Sequence, residues 1–87
     1  MSNTFYIFSM MEEKKQNLRM YYRDLKKGRQ EFLRRVADKC NVSLNNVRNW
    51  VNFDSKTQDP DRLKVLSEET GIEVENLFDK ELEHEYA

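Results

Sequence analysis

Residues 36–50 constrain the fold more than any other stretch of this chain, because they fit two helices joined by a very short turn. Asn41 is the residue that turns the chain, since asparagine tolerates a left-handed backbone better than most residues except glycine. Ser43 can then cap the second helix with its hydroxyl group. Apolar positions recur at helical spacing on both sides of the turn: Val36, Ala37 and Cys40 before it, and Val47, Trp50 and Val51 after it.

Such a pair of helices is typical of a helix-turn-helix motif. The outer face of its second helix carries Asn45, Arg48 and Asn49, whose donors and acceptors match those of base edges and phosphates. Each of these residues could equally be a solvated polar residue on an exposed helix. As a set they favour DNA contact, because the charge of the chain is segregated around them.

Positive charge is concentrated in the half of the chain that contains this motif. Residues 1–50 hold 11 Lys and Arg against 5 Asp and Glu, whereas residues 51–87 hold 4 against 11. A basic half attracts phosphate, and the acidic half is expected to lower the affinity for non-specific nucleic acid.

The length and composition indicate one small domain of a non-enzymatic kind. Eighty-seven residues lie near the lower end of what a single core can stabilise. One Cys, one His and two Gly supply no nucleophile–base pair, metal cluster or phosphate loop, so no enzyme activity, cofactor, metal or small-molecule substrate is expected. The lone Cys40 suits a reducing, cytoplasmic setting, and no apolar run predicts a membrane span.

Three segments are predicted along the chain. Residues 1–11 form an aromatic N-terminal segment, read as a flexible leader or as an arm against a second subunit. Residues 12–79 form the domain, and residues 80–87 an acidic, frayed tail. The domain is predicted to be all-α with five helices, at 12–26, 30–40, 43–52, 60–70 (with Asp59 as its cap) and, as a short closing helix, 72–78.

A single core is expected from the apolar stripes of these helices. Trp50 belongs to it, because it lies three residues after Val47 on the same face. The predicted core consists of Phe32, Val36, Ala37, Cys40, Val42, Val47, Trp50, Leu63, Leu66 and Leu77.

Over residues 32–52 the chain resembles the phage-repressor and Cro-like helix-turn-helix family, in the run Val-Ala-Asp-Lys, a small turn, Val-Ser and Val47 to Trp50. A looser likeness continues through Leu63, Leu66 and residues 70–78, so that about half the chain is covered. The resemblance implies a five-helix, lambda-repressor-like domain of phage or mobile-element kind that regulates transcription by binding duplex DNA.

The resemblance also implies a set of DNA contacts. The second helix of the motif would lie in the major groove, where Arg48 could pair with guanine and Asn45 or Asn49 with adenine. The implied base contacts are Ser43, Leu44, Asn45, Arg48 and Asn49. The candidate phosphate contacts, which flank the motif, are Arg29, Arg34, Arg35 and Lys39.

Three positions depart from the family pattern. Asn41 replaces the usual turn glycine, Leu33 stands where a phosphate-binding Gln is common, and Phe53 follows Asn52 where Gly is usual. Because one fold can serve several functions, the main alternative is a helix-turn-helix module that binds an acidic protein instead of DNA, as an antirepressor or antitoxin-like component would. For the DNA-binding hypothesis a homodimer is expected, assembled through Leu77 and Phe78 or through the aromatic segment.

Overall fold

The computed structural model describes the backbone of residues 15–86 and the side chains of residues 15–83. The regular secondary structure of this part of the chain is helical, without a strand, which confirms the all-α prediction for it. The elements are α1 (Leu18–Asp24), α2 (Arg29–Cys40), α3 (Leu44–Val51), α4 (Pro60–Thr70) and two 3₁₀ helices, Val74–Asn76 and Lys80–Tyr86.

Side-chain caps set where three of the helices begin. Ser43 accepts a hydrogen bond from the backbone N–H of Asn46, and Asp59 caps α4 ahead of Pro60, as predicted. Helix α1 is shorter than the predicted 12–26, because Asn17 has an extended backbone and caps the helix at Leu18. The predicted start at residue 12 lies outside the described residues, but a helix through Asn17 is excluded.

The turn between α2 and α3 has the predicted geometry. Asn41 adopts the left-handed region, with φ of 58°, and its N–H reaches the carbonyl oxygens of Ala37 and Asp38. Val42 donates its own N–H to the same Ala37 oxygen at 3.0 Å. These bonds satisfy two of the last four carbonyls of α2 and fix the direction in which α3 leaves the turn.

The predicted fifth α-helix over 72–78 is not formed. The chain makes one short 3₁₀ helix, Val74–Asn76, instead. The carbonyl oxygen of Leu77 accepts a hydrogen bond from the N–H of Leu18 at 2.8 Å, a contact between distant parts of the chain that ties this segment to the start of α1. Within the segment, the N–H groups of Asn76, Leu77 and Asp79 bond to carbonyl oxygens three residues earlier, the 3₁₀ pattern, and not to those four residues earlier that an α-helix requires.

The core lies between α2 and the helices on either side of it. Helix α2 packs against both α3 and α4, and α1 packs against α3. Of the ten predicted core residues, eight are buried, whereas Val42 and Leu63 are half-buried at its margin. Leu18, Leu33, Val51, Ile72 and Leu82 are buried as well.

Leu82 and Glu83 of the acidic C-terminal segment pack on the domain, where the sequence predicted a frayed tail. Leu82 is buried, and the carboxylate of Glu83 is bonded to Asn17 and Arg19. The buried amide of Asn17 also donates to the carbonyl oxygen of Asp79 at 2.9 Å. These contacts hold the described part of the segment against the start of α1.

Candidate nucleic-acid interface

Helix α3 presents one buried face and one polar face. Val47, Trp50 and Val51 lie in the core, so the opposite side of this eight-residue helix points outward. That polar side, here called the α3 face, consists of Asn45, Arg48 and Asn49 together with the C-cap residue Asn52. Asn49 is half-buried, and the other three are exposed.

The side chains of the α3 face are free to bind something else. Within the described residues, the Arg48 guanidinium and the side-chain amides of Asn45 and Asn49 make no hydrogen bond or ion pair. A guanidinium offers five N–H donors in a fork, and an amide offers both donors and an acceptor. The face can therefore form several hydrogen bonds to a partner without breaking any internal contact.

The other two implied base contacts are engaged in the fold. The Ser43 hydroxyl accepts the Asn46 N–H at 3.2 Å as the α3 cap, which leaves its own proton available for donation. Leu44 is half-buried and packs against the core, so a limited part of its side chain could touch a thymine methyl.

The four candidate phosphate contacts divide into two pairs. Arg34 is exposed and has no ion-pair or hydrogen-bond partner among residues 15–83, so it is open to a phosphate. Arg29, also exposed, donates from Nη2 to the carbonyl oxygen of Arg23 at 2.8 Å and lies 5.5 Å from the centre of the Tyr22 ring.

Arg35 and Lys39 instead both bind Glu69 on α4. The Arg35 Nε–Oε1 distance is 3.0 Å and the Lys39 Nζ–Oε2 distance is 2.6 Å. Hydrogen bonds from Lys39 and Arg35 lower the pKa of the Glu69 carboxyl below its usual range. These two cations tie α2 to α4, and a phosphate would have to compete with Glu69 for them.

Two further cations, Arg19 and Arg23, were missed in the sequence reasoning. Arg19, Arg23 and Arg29 line a cavity of about 200 Å³, here called the arginine pocket, beside Asn52 at the end of α3. The remaining lining residues are Tyr22 and Val51. The spacing of Arg19 and Arg23, four residues apart on α1, was a usable signal, since such residues share a helix face.

Glu83 lies against two of these arginines. Its Oε2 is 2.8 Å from Arg19 Nη2, and its Oε1 is 3.8 Å from Arg23 Nη2. Asn17 Nδ2 donates to the same Oε2 at 3.0 Å. Burial raises the pKa of Glu83, but the hydrogen bonds from Asn17 and Arg19 and the two arginine charges outweigh it and leave the pKa below its usual range.

Phe53 occupies the left-handed conformation for which the family pattern has glycine. Its φ is 62°, which is strained for an aromatic residue. Its ring packs 5.7 Å from the ring of Phe78, and the Arg19 guanidinium lies 4.7 Å from its centre. These contacts explain how the conformation is held without glycine.

Neither a scan against protein-family models nor searches of curated proteins and solved structures found a match to this chain. Across the described residues, no group of three or more His, Cys, Asp or Glu could hold a metal ion. In the same part of the chain, every helix is too short or too polar to cross a membrane.

Proposed function

We propose that this protein is a repressor-like regulator of transcription that binds specific duplex DNA through a helix-turn-helix formed by α2 and α3. The proposal extends to a lambda-repressor-like fold and to a binding role without catalysis or cofactor. It is carried by one observation: the α3 face combines a free guanidinium with free amides on a helix whose opposite face is buried in the core.

The chemistry of that face matches base edges. Arg48 can donate two parallel hydrogen bonds to O6 and N7 of guanine, and Asn45 or Asn49 can pair with N6 and N7 of adenine. Eight residues of helix extend about 12 Å, which is close to the width of the major groove. The arginine pocket supplies positive charge beside the end of α3 for a flanking phosphate, and Arg34 on α2 is a further exposed cation.

A homodimer on a two-fold site is part of the proposal, because one short helix reads few base pairs and two half-sites restore specificity. Leu77 is fully buried and cannot serve as the dimer contact that the sequence suggested. Phe78 is half-buried at the surface and keeps that role in the proposal. The aromatic segment, Phe5 to Phe8, lies outside the described residues.

Selection from random duplexes tests the proposal directly. Recovered sequences should share a motif with two-fold symmetry, and fluorescence anisotropy should show tighter binding to the selected duplex than to a scrambled one at every salt concentration. Equal affinity for both duplexes would contradict specific recognition. Absence of binding to either, combined with one partner protein that co-purifies and binds directly, would favour the protein-binding alternative.

A further inference from the structure

We propose that Arg19 and Arg23 form an oxyanion site that Glu83 occupies in the free protein and that a backbone phosphate of the duplex takes over on binding. The acidic C-terminal segment would then act as a built-in competitor for DNA. This inference rests on the proposed function, but it concerns α1 and the C-terminal segment, which the resemblance did not implicate.

The present contacts already define a site for an oxyanion. Glu83 Oε2 accepts from Arg19 Nε at 3.0 Å, from Arg19 Nη2 at 2.8 Å and from Asn17 Nδ2 at 3.0 Å. Arg23 approaches the other carboxylate oxygen at 3.8 Å. Planar guanidinium groups bind carboxylate and phosphate oxygens with the same fork geometry, so this donor set suits either ligand.

One carboxylate does not neutralise the cations at this place. The arginine pocket adds the guanidinium of Arg29, which the carbonyl oxygen of Arg23 and the ring of Tyr22 hold in position. Among the described residues, Glu83 is the one acidic side chain that pairs with Arg19 or Arg23, and it does not line the arginine pocket. A phosphate in the pocket would lie beside three guanidinium groups, whereas Glu83 pairs with two of them.

The pocket lies where a phosphate is expected if α3 enters the major groove. Asn52 and Val51, at the C-terminal end of α3, line the pocket together with the arginines. A helix about 12 Å long in a groove about 12 Å wide brings its ends close to the phosphates at the groove edges. The arginine pocket would face one of these edges.

Glu83 and a phosphate would exclude each other from the two arginines because both are anions. The side chain of Glu83 is 21% exposed, so a change of rotamer can release it, while buried Leu82 keeps the segment attached. Arg23 is 63% exposed and is available on its solvent side.

Replacing Glu83 by Gln tests the competition, with E81Q as the matched control. Glu81 is an exposed acid two residues away whose side chain makes no ion pair among the described residues, so both variants change the net charge equally. E83Q should bind selected and scrambled duplexes about two- to fivefold more tightly than E81Q, the range that an ion pair of this exposure can contribute. Its salt slope should steepen by up to one unit.

The proposed competition between Glu83 and phosphate is contradicted if E83Q binds duplex DNA no more tightly than E81Q. Adding Arg23→Gln to E83Q should abolish the gain, and because Arg23 is largely exposed this change should leave the fold intact. Circular dichroism of each variant verifies the fold. A gain that persists in the double variant would also overturn the proposal.

A titration with pyrophosphate separates this inference from the proposed function. The Nε–H signals of Arg19 and Arg23, followed by NMR, should shift at lower pyrophosphate concentration in E83Q than in E81Q. That difference would support the oxyanion site even if the wild-type protein bound no duplex, an outcome that would overturn the proposed function. Equal shifts in both variants would overturn the site, whatever the duplex affinity.

Discussion

At the residue scale, Arg48 and Trp50 lie two positions apart on α3 and differ strongly in exposure. Arg48 is exposed and unpaired within the described part of the chain, whereas Trp50 is 4% exposed in the core. Successive residues of an α-helix are about 100° apart around its axis. Two residues that are two positions apart therefore lie on nearly opposite faces, one exposed and one buried. Substitutions at the two sites should therefore have different effects.

Changing Arg48 to Ala should weaken binding to the selected duplex by about 1–3 kcal/mol, if the guanidinium pairs with a base. Binding to the scrambled duplex should weaken much less, because contacts to phosphates are made with every sequence and do not involve Arg48. Fluorescence anisotropy at several salt concentrations measures both losses, and denaturant titration verifies that stability is unchanged.

Two other exposed cations provide the comparison for Arg48. Arg34→Ala should weaken both duplexes alike and reduce the salt slope by about one unit, as loss of a phosphate contact does. Lys64→Ala, on the exposed side of α4, should change neither affinity by much. If R48A and the wild type bind both duplexes equally, α3 does not read the bases.

Changing Trp50 to Ala should lower the free energy of unfolding by about 3–5 kcal/mol, because truncating a buried aromatic residue removes apolar burial and leaves a cavity. Val74 is 45% exposed and offers the opposite case, since Val74→Ala should cost less than about 0.5 kcal/mol. Urea titrations of both variants measure the difference. A loss below about 1 kcal/mol for W50A would show that Trp50 contributes little to the core.

At the scale of elements, the angle between α2 and α3 depends on one backbone conformation. Asn41→Ala should destabilise the protein by about 1 kcal/mol, because alanine is strained at a φ of 58°. Asn41→Gly should cost less than the alanine variant, since glycine enters this region freely although it loses more entropy on folding. Thermal unfolding of the two variants would give the ranking, and an alanine variant as stable as the glycine variant would contradict it.

Helices α2 and α4 are joined by a different kind of contact. Apolar residues such as Val36 and Leu66 form the buried part, and Glu69 with its two cations closes the outer edge. The cations themselves are more than half exposed, so this edge is sensitive to salt and pH.

At the scale of the whole molecule, two carboxyl groups should dominate the loss of folding stability in acid. The pKa values of Glu69 and Glu83 are lower in the folded protein than the usual value of about 4.3. Their contribution to stability is therefore present above that value and is lost as the pH falls through their lowered folded values. The free energy of unfolding, measured by urea titration between about pH 6 and pH 2, should decline over this range.

Glu69→Gln should flatten the acid limb of the stability profile, because the group that titrates is gone. Glu68→Gln is the matched control, since Glu68 is exposed and unpaired among the described residues. An E69Q profile that declines as steeply as that of E68Q would show that the Glu69 cluster contributes nothing to the acid response.

Local patterns allowed most of the helices and the core to be predicted. The turn at Asn41, the caps at Ser43 and Asp59, and the burial of Trp50 all follow from spacing within a few residues. The free α3 face was predicted on the same basis, although its role remains a prediction.

Contacts between distant residues could not be derived in this way. The N–H of Leu18 bonds to the carbonyl oxygen of Leu77, and the ion pair of Arg19 with Glu83 holds the acidic segment against α1. Periodicity within a helix carries no information about such partners, so the sequence showed Arg35 and Lys39 as surface cations without revealing Glu69.

The buried Cys40 thiol is a natural probe of local unfolding at the end of α2. It is the one thiol of the chain, it is 7% exposed at the last position of α2, and burial is the main cause that raises its pKa. An alkylating reagent can therefore attack it only when this helix end separates from its neighbours. The rate of its modification would report how often the junction with α3 opens, in the unaltered protein, and would show whether a bound partner slows that opening.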